Sequence, residues 1–264
     1  MELKVFVVDA FTDNKFQGNS AAVVPVAEWL SSELMQNIAA ENNLSETAFI
    51  KALAPNRYQI RWFSPLTEID FCGHATLAAS YVLFQFLGCE GQIEFVTSQV
   101  GELQVNQRDD GLIEMSFPNQ LPQIIEDIPA ALLEGLSIKP VTVLRNRQAY
   151  FVVLSSEQDV RNVEYYSEQL KLLAPYDAVV TAQSEGEFDF ISRYFWPANG
   201  GDEDPVTGSI HSGLAPYWAE QLGKRELVAY QASKRGGVLY CQVTDERVLV
   251  SGFGVLYSRG TIYI

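Results

Sequence analysis

The sequence predicts an α+β protein of two like lobes, each a curled, mostly antiparallel sheet wrapped around one apolar helix. Three observations lead there. The chain repeats itself, each repeat contains one helix without a polar face, and the remaining text is short alternating strands separated by turn residues. At 264 residues the length suits one large domain or two lobes.

The repeat is read from matched stretches. Arg61-Trp62-Phe63-Ser64-Pro65 returns as Arg193-Tyr194-Phe195-Trp196-Pro197, an offset of 132. Each copy follows strand-like text, Arg57–Ile60 in one half and Phe188–Ile191 in the other. Gly73-His74-Ala75-Thr76 leads into the apolar run Leu77–Leu87, and Gly208-Ser209-Ile210-His211 leads into Leu214–Leu222, now at an offset of 135. The second offset persists through Ser98 and Ser233, Gly101 and Gly236, Asp110 and Asp245, and Ser116 and Ser251. Several matches in register favour a duplicated unit over two unrelated halves with similar turns.

The elements follow in order. An amphipathic helix fits Ser32–Asn42, with Leu34, Ile38 and Ala39 on one side and a serine start signal. A strand covers Ala48–Ala52. The helix at residues 75–87 is apolar on every side, so strands must surround it. Gln92–Thr97, Glu102–Val105, Leu227–Gln231 and Gly237–Gln242 alternate as half-buried strands do. Gln120–Ile138 reads as the crossing between halves, with a short helix near Pro129–Leu136. A parallel dinucleotide-binding fold is disfavoured, since the strands are closely spaced and no glycine-rich fingerprint follows the first. The expected lobes are residues 1–118, joined by the strand 254–264, and residues 119–253, with an active-site cleft between them.

Composition narrows the function. Eighteen Lys and Arg against 33 Asp and Glu give a formal charge of −15, which argues against nucleic acid and anionic membrane as partners. A small anionic substrate remains compatible, because a local positive site outweighs a distant net field. No apolar run reaches the ~20 residues of a membrane span. Three cysteines without a CxxC pair, and an N-terminus without signal-peptide character, suggest a reduced cytoplasmic protein.

Chemistry is expected at the two helix starts, where unpaired N–H groups and a partial positive charge suit a small carboxylate. The halves differ in their reactive side chains there. His74 of the first half corresponds to Ser209 of the second, and an acidic stretch, Gly201 to Gly208, precedes the second helix. Asp204, beside Pro205, is the functional candidate in that stretch. Asp202 and Glu203 divide evenly between function and helix capping. Glu46 is a general-base candidate because, at an offset of 132, the second half has Ala178 and no acid in its place. The ordinary alternative is a surface glutamate. A helix start should keep His74 neutral and fit for proton relay. His211, inside the second helix, reads as structural. Two distant histidines without a cysteine cluster argue against zinc, and Gly213 at the twelfth loop position argues against a calcium loop at Asp202.

These residues resemble the PhzF-like isomerase family, which shares its fold with diaminopimelate epimerase. The resemblance spans nearly the whole chain. It is carried by Asp9-Ala10-Phe11 with Phe16-x-Gly18-Asn19, Leu44-Ser45-Glu46-Thr47-Ala48-Phe49, Phe71-Cys72-Gly73-His74-Ala75-Thr76, and Glu203-Asp204-Pro205-Val206-Thr207-Gly208-Ser209. It implies a cofactor-independent isomerase, usually dimeric, with no metal. In the namesake reaction a hydroxylated dihydroaromatic amino acid undergoes a hydrogen shift. Glu46 matches the glutamate that moves the proton, and His74, Asp204 and Ser209 match the other polar site residues. Ser45, Gly73 and Gly208 would help hold the substrate carboxylate. A partly dry site should raise the pKa of the base. Two further readings are a binding protein that keeps the cleft without turnover, and an epimerase that depends on Cys72. The second is disfavoured because the Asp204-Pro205 region offers no partner thiol.

Overall fold

The computed structural model describes residues 1–264. In chain order the first elements are β1 (Glu2–Ala10), β2 (Asn19–Val26), α1 (Ser32–Asn42), β3 (Glu46–Ala54), β4 (Arg57–Phe63), β5 (Glu68–Ile69), α2 (Gly73–Phe86), β6 (Ile93–Val96), β7 (Glu102–Gln107) and β8 (Ile113–Pro118). Then come β9 (Gln123–Ile124), α3 (Ala130–Glu134), β10 (Thr142–Arg145), β11 (Ala149–Val153), α4 (Glu157–Asn162) and α5 (Ser167–Leu170). The chain continues with β12 (Asp177–Gln183), β13 (Phe190–Phe195), β14 (Glu203–Asp204), α6 (His211–Leu222), β15 (Glu226–Gln231), β16 (Gly237–Val243), β17 (Arg247–Gly252) and β18 (Gly254–Tyr263). They form two compact units, Met1–Ser116 with Ser251–Ile264, and Phe117–Val250.

In the first unit β18 lies antiparallel to β1, and β1 to β2. The next strand, β3, runs parallel to β2, because α1 carries the chain back between them. Ser31 caps α1 by accepting from the Leu34 N–H, and Asn43 ends it in the left-handed region. β4 is antiparallel to β3, β6 parallel to β4, and β7 antiparallel to β6. Between β4 and β6 the chain makes α2, which packs on β1, β2, β3 and β18. Leu77, Ala78, Ala79, Val82 and Leu83 are fully buried there. Burying each of the larger ones contributes roughly 1.5–3 kcal/mol. Two of its hydroxyls bond within it: Thr76 Oγ1 donates to the Cys72 carbonyl and Ser80 Oγ to the Thr76 carbonyl. The apolar helix of the sequence is therefore the core of its sheet, beginning at Gly73 rather than at residue 75.

The second unit repeats this wiring step by step. β11 and β12 are parallel, β12 and β13 antiparallel, β13 and β15 parallel, and β15 and β16 antiparallel. The short strand β14 pairs with β13 as β5 pairs with β4. One expectation fails in this comparison. Phe63 faces Thr47 across β4 and β3, whereas Phe195 faces Ala178 across β13 and β12. The offset slips by one residue between those strands, so Asp177 opens β12 as Glu46 opens β3. Each also faces an alanine of the parallel neighbour, Ala149 and Ala21. The second half does carry an acid in the place of Glu46. No helix is long and apolar enough to cross a membrane.

Candidate active site

In the first unit, three separate elements deliver side chains to one buried point. Glu46 is the first residue of β3 and is 8% exposed; His74 is the second residue of α2 and is 4% exposed. Their Oε2 and Nε2 atoms are 2.7 Å apart. No aligned hydrogen bond joins them, since Oε2 lacks a hydrogen-bond partner, so the contact is one of charge. Asn19, the first residue of β2, places its amide nitrogen 3.1 Å from His74 Nδ1. Its strand begins where it does because Gly18 turns at φ +65°, with a Cβ position only 2.2 Å from the Ala10 carbonyl oxygen, which admits glycine alone. Cys72, the residue capping α2, lies 3.4 Å from Nδ1. Gly73 opens the helix, and the half-buried Ser45 immediately precedes Glu46.

Burial is the largest influence on His74 and works to lower its pKa. Cys72 and Glu46 outweigh it, and the pKa stands well above the ordinary 6.5. The Cys72 thiol is itself pushed up to about 11, first by burial and then by the charge of Glu46. The expectation that the helix start keeps His74 neutral is overturned, because a contact charge outweighs a partial one. A thiol held protonated is a poor carbon base, which weighs against a Cys72-dependent epimerase.

Glu46, Cys72 and His74 also bring their ligand atoms within 4.8 Å of one another. Spacing in the sequence concealed this convergence. The donor set is of a kind that holds zinc.

In the second unit, Asp204 lies in β14 beside Tyr194, and Ser209 in the tight turn that enters α6. The turn is closed by bonds from the His211 N–H to the Gly208 carbonyl and from the Ser212 N–H to the Ser209 carbonyl. Regular helix begins two residues after Ser209, at His211. Thr207 Oγ1 donates to the Asp204 carboxylate. The fully buried Gln231 clasps the same loop: its Nε2 donates to the Asp204 carbonyl at 2.9 Å, and its Oε1 accepts from the Thr207 N–H at 2.9 Å. Gln148 Nε2 donates to Ser209 Oγ at 3.0 Å.

The flanking acids have structural partners. Arg193 holds Glu203 with two bonds of 2.7 and 2.9 Å, and Ser167 Oγ donates to Asp202 at 2.8 Å. His211 is fully buried, with Nδ1 2.9 Å from the Thr207 carbonyl, and burial lowers its pKa to about 4. Of the residues singled out in the sequence, Ser45, Glu46, Gly73 and His74 gather in the first unit, while Asp204, Gly208 and Ser209 share one loop of the second. Asn19 stood within a motif already quoted, whereas Gln148 and Gln231 gave no sequence signal.

Comparison with known proteins adds independent support. A family model described as "Phenazine biosynthesis-like protein" matches residues 8–260. A relative named as an uncharacterized isomerase of Pseudomonas aeruginosa is 46% identical over the whole of both chains. A crystal structure titled as a phenazine biosynthesis protein of the PhzF family, from Enterococcus faecalis, superposes with a TM-score of 0.94 at 40% identity, covering 100% of each chain. A predicted epimerase from Pseudomonas aeruginosa has the same fold, with a TM-score of 0.76 at 21% identity over 99% of each chain.

Proposed function

The chain belongs to the phenazine biosynthesis-like, or PhzF-like, family and is an isomerase; from that premise we propose that it shifts a proton within a small carboxylate- or amino-acid-like substrate without a cofactor, with Glu46 as general acid and base. The observation that carries this reading is the Glu46–His74 contact of 2.7 Å, with both side chains about one tenth exposed or less. Glu46 takes a proton from a carbon acidified by conjugation, and the same carboxylate returns it elsewhere on the π-system. His74, protonated at Nε2, steadies the carboxylate and stabilises negative charge that develops on the substrate. Removing His74 would leave Glu46 a buried anion without its counter-charge. A positioned general base of this kind supplies roughly 10²–10⁴ in rate. Ser45 and Gly73 are proposed to bind substrate beside this pair. Asp204 and His74 are proposed to orient the substrate's amino or hydroxyl group and assist its reprotonation, Gly208 to help hold its carboxylate, and Ser209 matches a further polar site residue of the family.

The test is hydrogen exchange. The protein is incubated in D₂O with a panel of cyclic and α-amino acids, and each is followed by proton NMR. Loss of a C–H signal with the wild type, and its retention with Glu46→Gln, supports the assignment. Saturable binding without exchange favours a binding protein that lacks turnover.

A further inference from the structure

The Ser209 hydroxyl has its bonding direction dictated by residues that never reach it. Asp177 opens β12; burial raises its pKa above the ordinary value, and its bonds to Tyr194 and Asn199 oppose that shift. Tyr194, 4% exposed, donates to Asp177 Oδ2 at 2.6 Å. Asn199 Nδ2 donates to the other carboxylate oxygen at 2.8 Å. Burial, with the Asp177 charge, holds the Tyr194 pKa well above its ordinary value, so the phenol keeps its hydrogen. That hydrogen is committed to Asp177, and the phenol oxygen can only accept from its remaining neighbour, Gln148 Nε2, at 3.2 Å. The same nitrogen turns its second hydrogen to Ser209 Oγ at 3.0 Å. The turn that presents Gln148 is fixed by Asn146, whose Oδ1 accepts from the Gln148 and Ala149 N–H groups at 2.8 and 3.1 Å. The Gln148 amide nitrogen can only donate, so the Tyr194 and Ser209 oxygens both accept from it.

We propose that Gln148, with Tyr194 and Asp177 behind it, is a positioning residue that turns the Ser209 hydroxyl hydrogen away from itself, and that Ser209 accordingly donates to a carboxylate oxygen of the substrate. The assignment rests on the reading of Ser209 as a substrate-facing residue. It adds what the hydroxyl recognises and what aims it. Without the Gln148 donor, the hydroxyl turns freely and can spend its hydrogen on a protein acceptor.

The experiment uses sodium benzoate as the probe and needs no turnover, so it fails or succeeds independently of the exchange assay. The ¹⁵N-labelled protein is titrated at constant ionic strength, and the amide signals of Gly208, Ser209 and Ile210 are followed. The wild type shows saturable shifts with millimolar affinity. Ser209→Ala weakens binding about tenfold, the size of one hydrogen bond to a charged group. Gln148→Met, of similar length but without donors, weakens it several-fold in the wild type and adds nothing in the Ser209→Ala background. Tyr194→Phe, which leaves the net charge unchanged, shows the same dependence on Ser209 and serves if Gln148→Met does not fold. Equal losses in both backgrounds would mark Gln148 as mere scaffolding and overturn the inference. So would an unchanged affinity in Gln148→Met, or no saturable shift in the wild type.

Discussion

Replacing Glu46 with Gln removes one charge and almost no volume from a site where the charge governs a neighbour. At 2.7 Å, with an effective dielectric constant of about 20, the attraction between the two charges is about 6 kcal/mol. The glutamine amide still faces Nε2, so the packing of the contact survives while its charge does not. Loss of an adjacent opposite charge ordinarily moves a pKa by about one to three pH units, or ~1.4–4 kcal/mol. Burial, the largest influence on His74, then pulls its pKa down with one of its two opponents, Cys72 and Glu46, removed. The chain has two histidines, so the assay is direct: their ring C–H signals are followed by NMR across pH. In the wild type one histidine titrates at about 4, His211, and the other well above 6.5, His74. In Glu46→Gln the His74 midpoint falls by one to three pH units, His211 stays in place, and hydrogen exchange into substrate drops by roughly 10²–10⁴. A His74 midpoint that does not move, or wild-type exchange in the variant, refutes the reasoning.

The pH dependence of stability has two arms. His74 has a raised folded pKa, so its contribution is complete below 6.5 and is lost as pH rises through the folded value. His211 has a lowered one, so its contribution is complete above 6.5 and falls as pH drops toward 4, by about 3 kcal/mol; urea midpoints at pH 4.5, 6.5 and 9 should be highest at the middle value. Cys72→Ser should keep exchange activity within a few-fold, and Cys72 in the native protein should react slowly with iodoacetamide, since its thiol is buried with a pKa of about 11; mass spectrometry reads the modification. Gly18→Ala should cost about 1–3 kcal/mol in urea unfolding and lower activity, because its Cβ would meet the Ala10 carbonyl and displace Asn19.

The fold was legible because its signals are local and periodic. The Ser32–Asn42 helix shows its cap and its stripe, and the matching aromatic-proline stretches announce the duplication. α2 betrays its central position through having no polar face. Chemistry was legible only where one side chain carries it, as with Glu46 and His74. The charge of His74 was not, because it depends on a contact between residues 28 positions apart. The Asp177 correspondence escaped because a one-residue slip before β12 defeats a fixed offset, and strand register alone corrects it. Gln148 and Gln231 are ordinary in sequence and acquire their roles from the turns they face.

The shared position of Glu46 and Asp177 bears on how the molecule came to be lopsided. Duplication delivered an acid to the head of the corresponding strand twice over. One copy meets an imidazole directly, while the other is spent on a phenol and speaks to its helix entrance through an amide. At these two strand heads the halves differ in the correspondents of the carboxylate. Restoring equality between the halves is accordingly a matter of exchanging side chains around residue 177, on scaffolding that already exists.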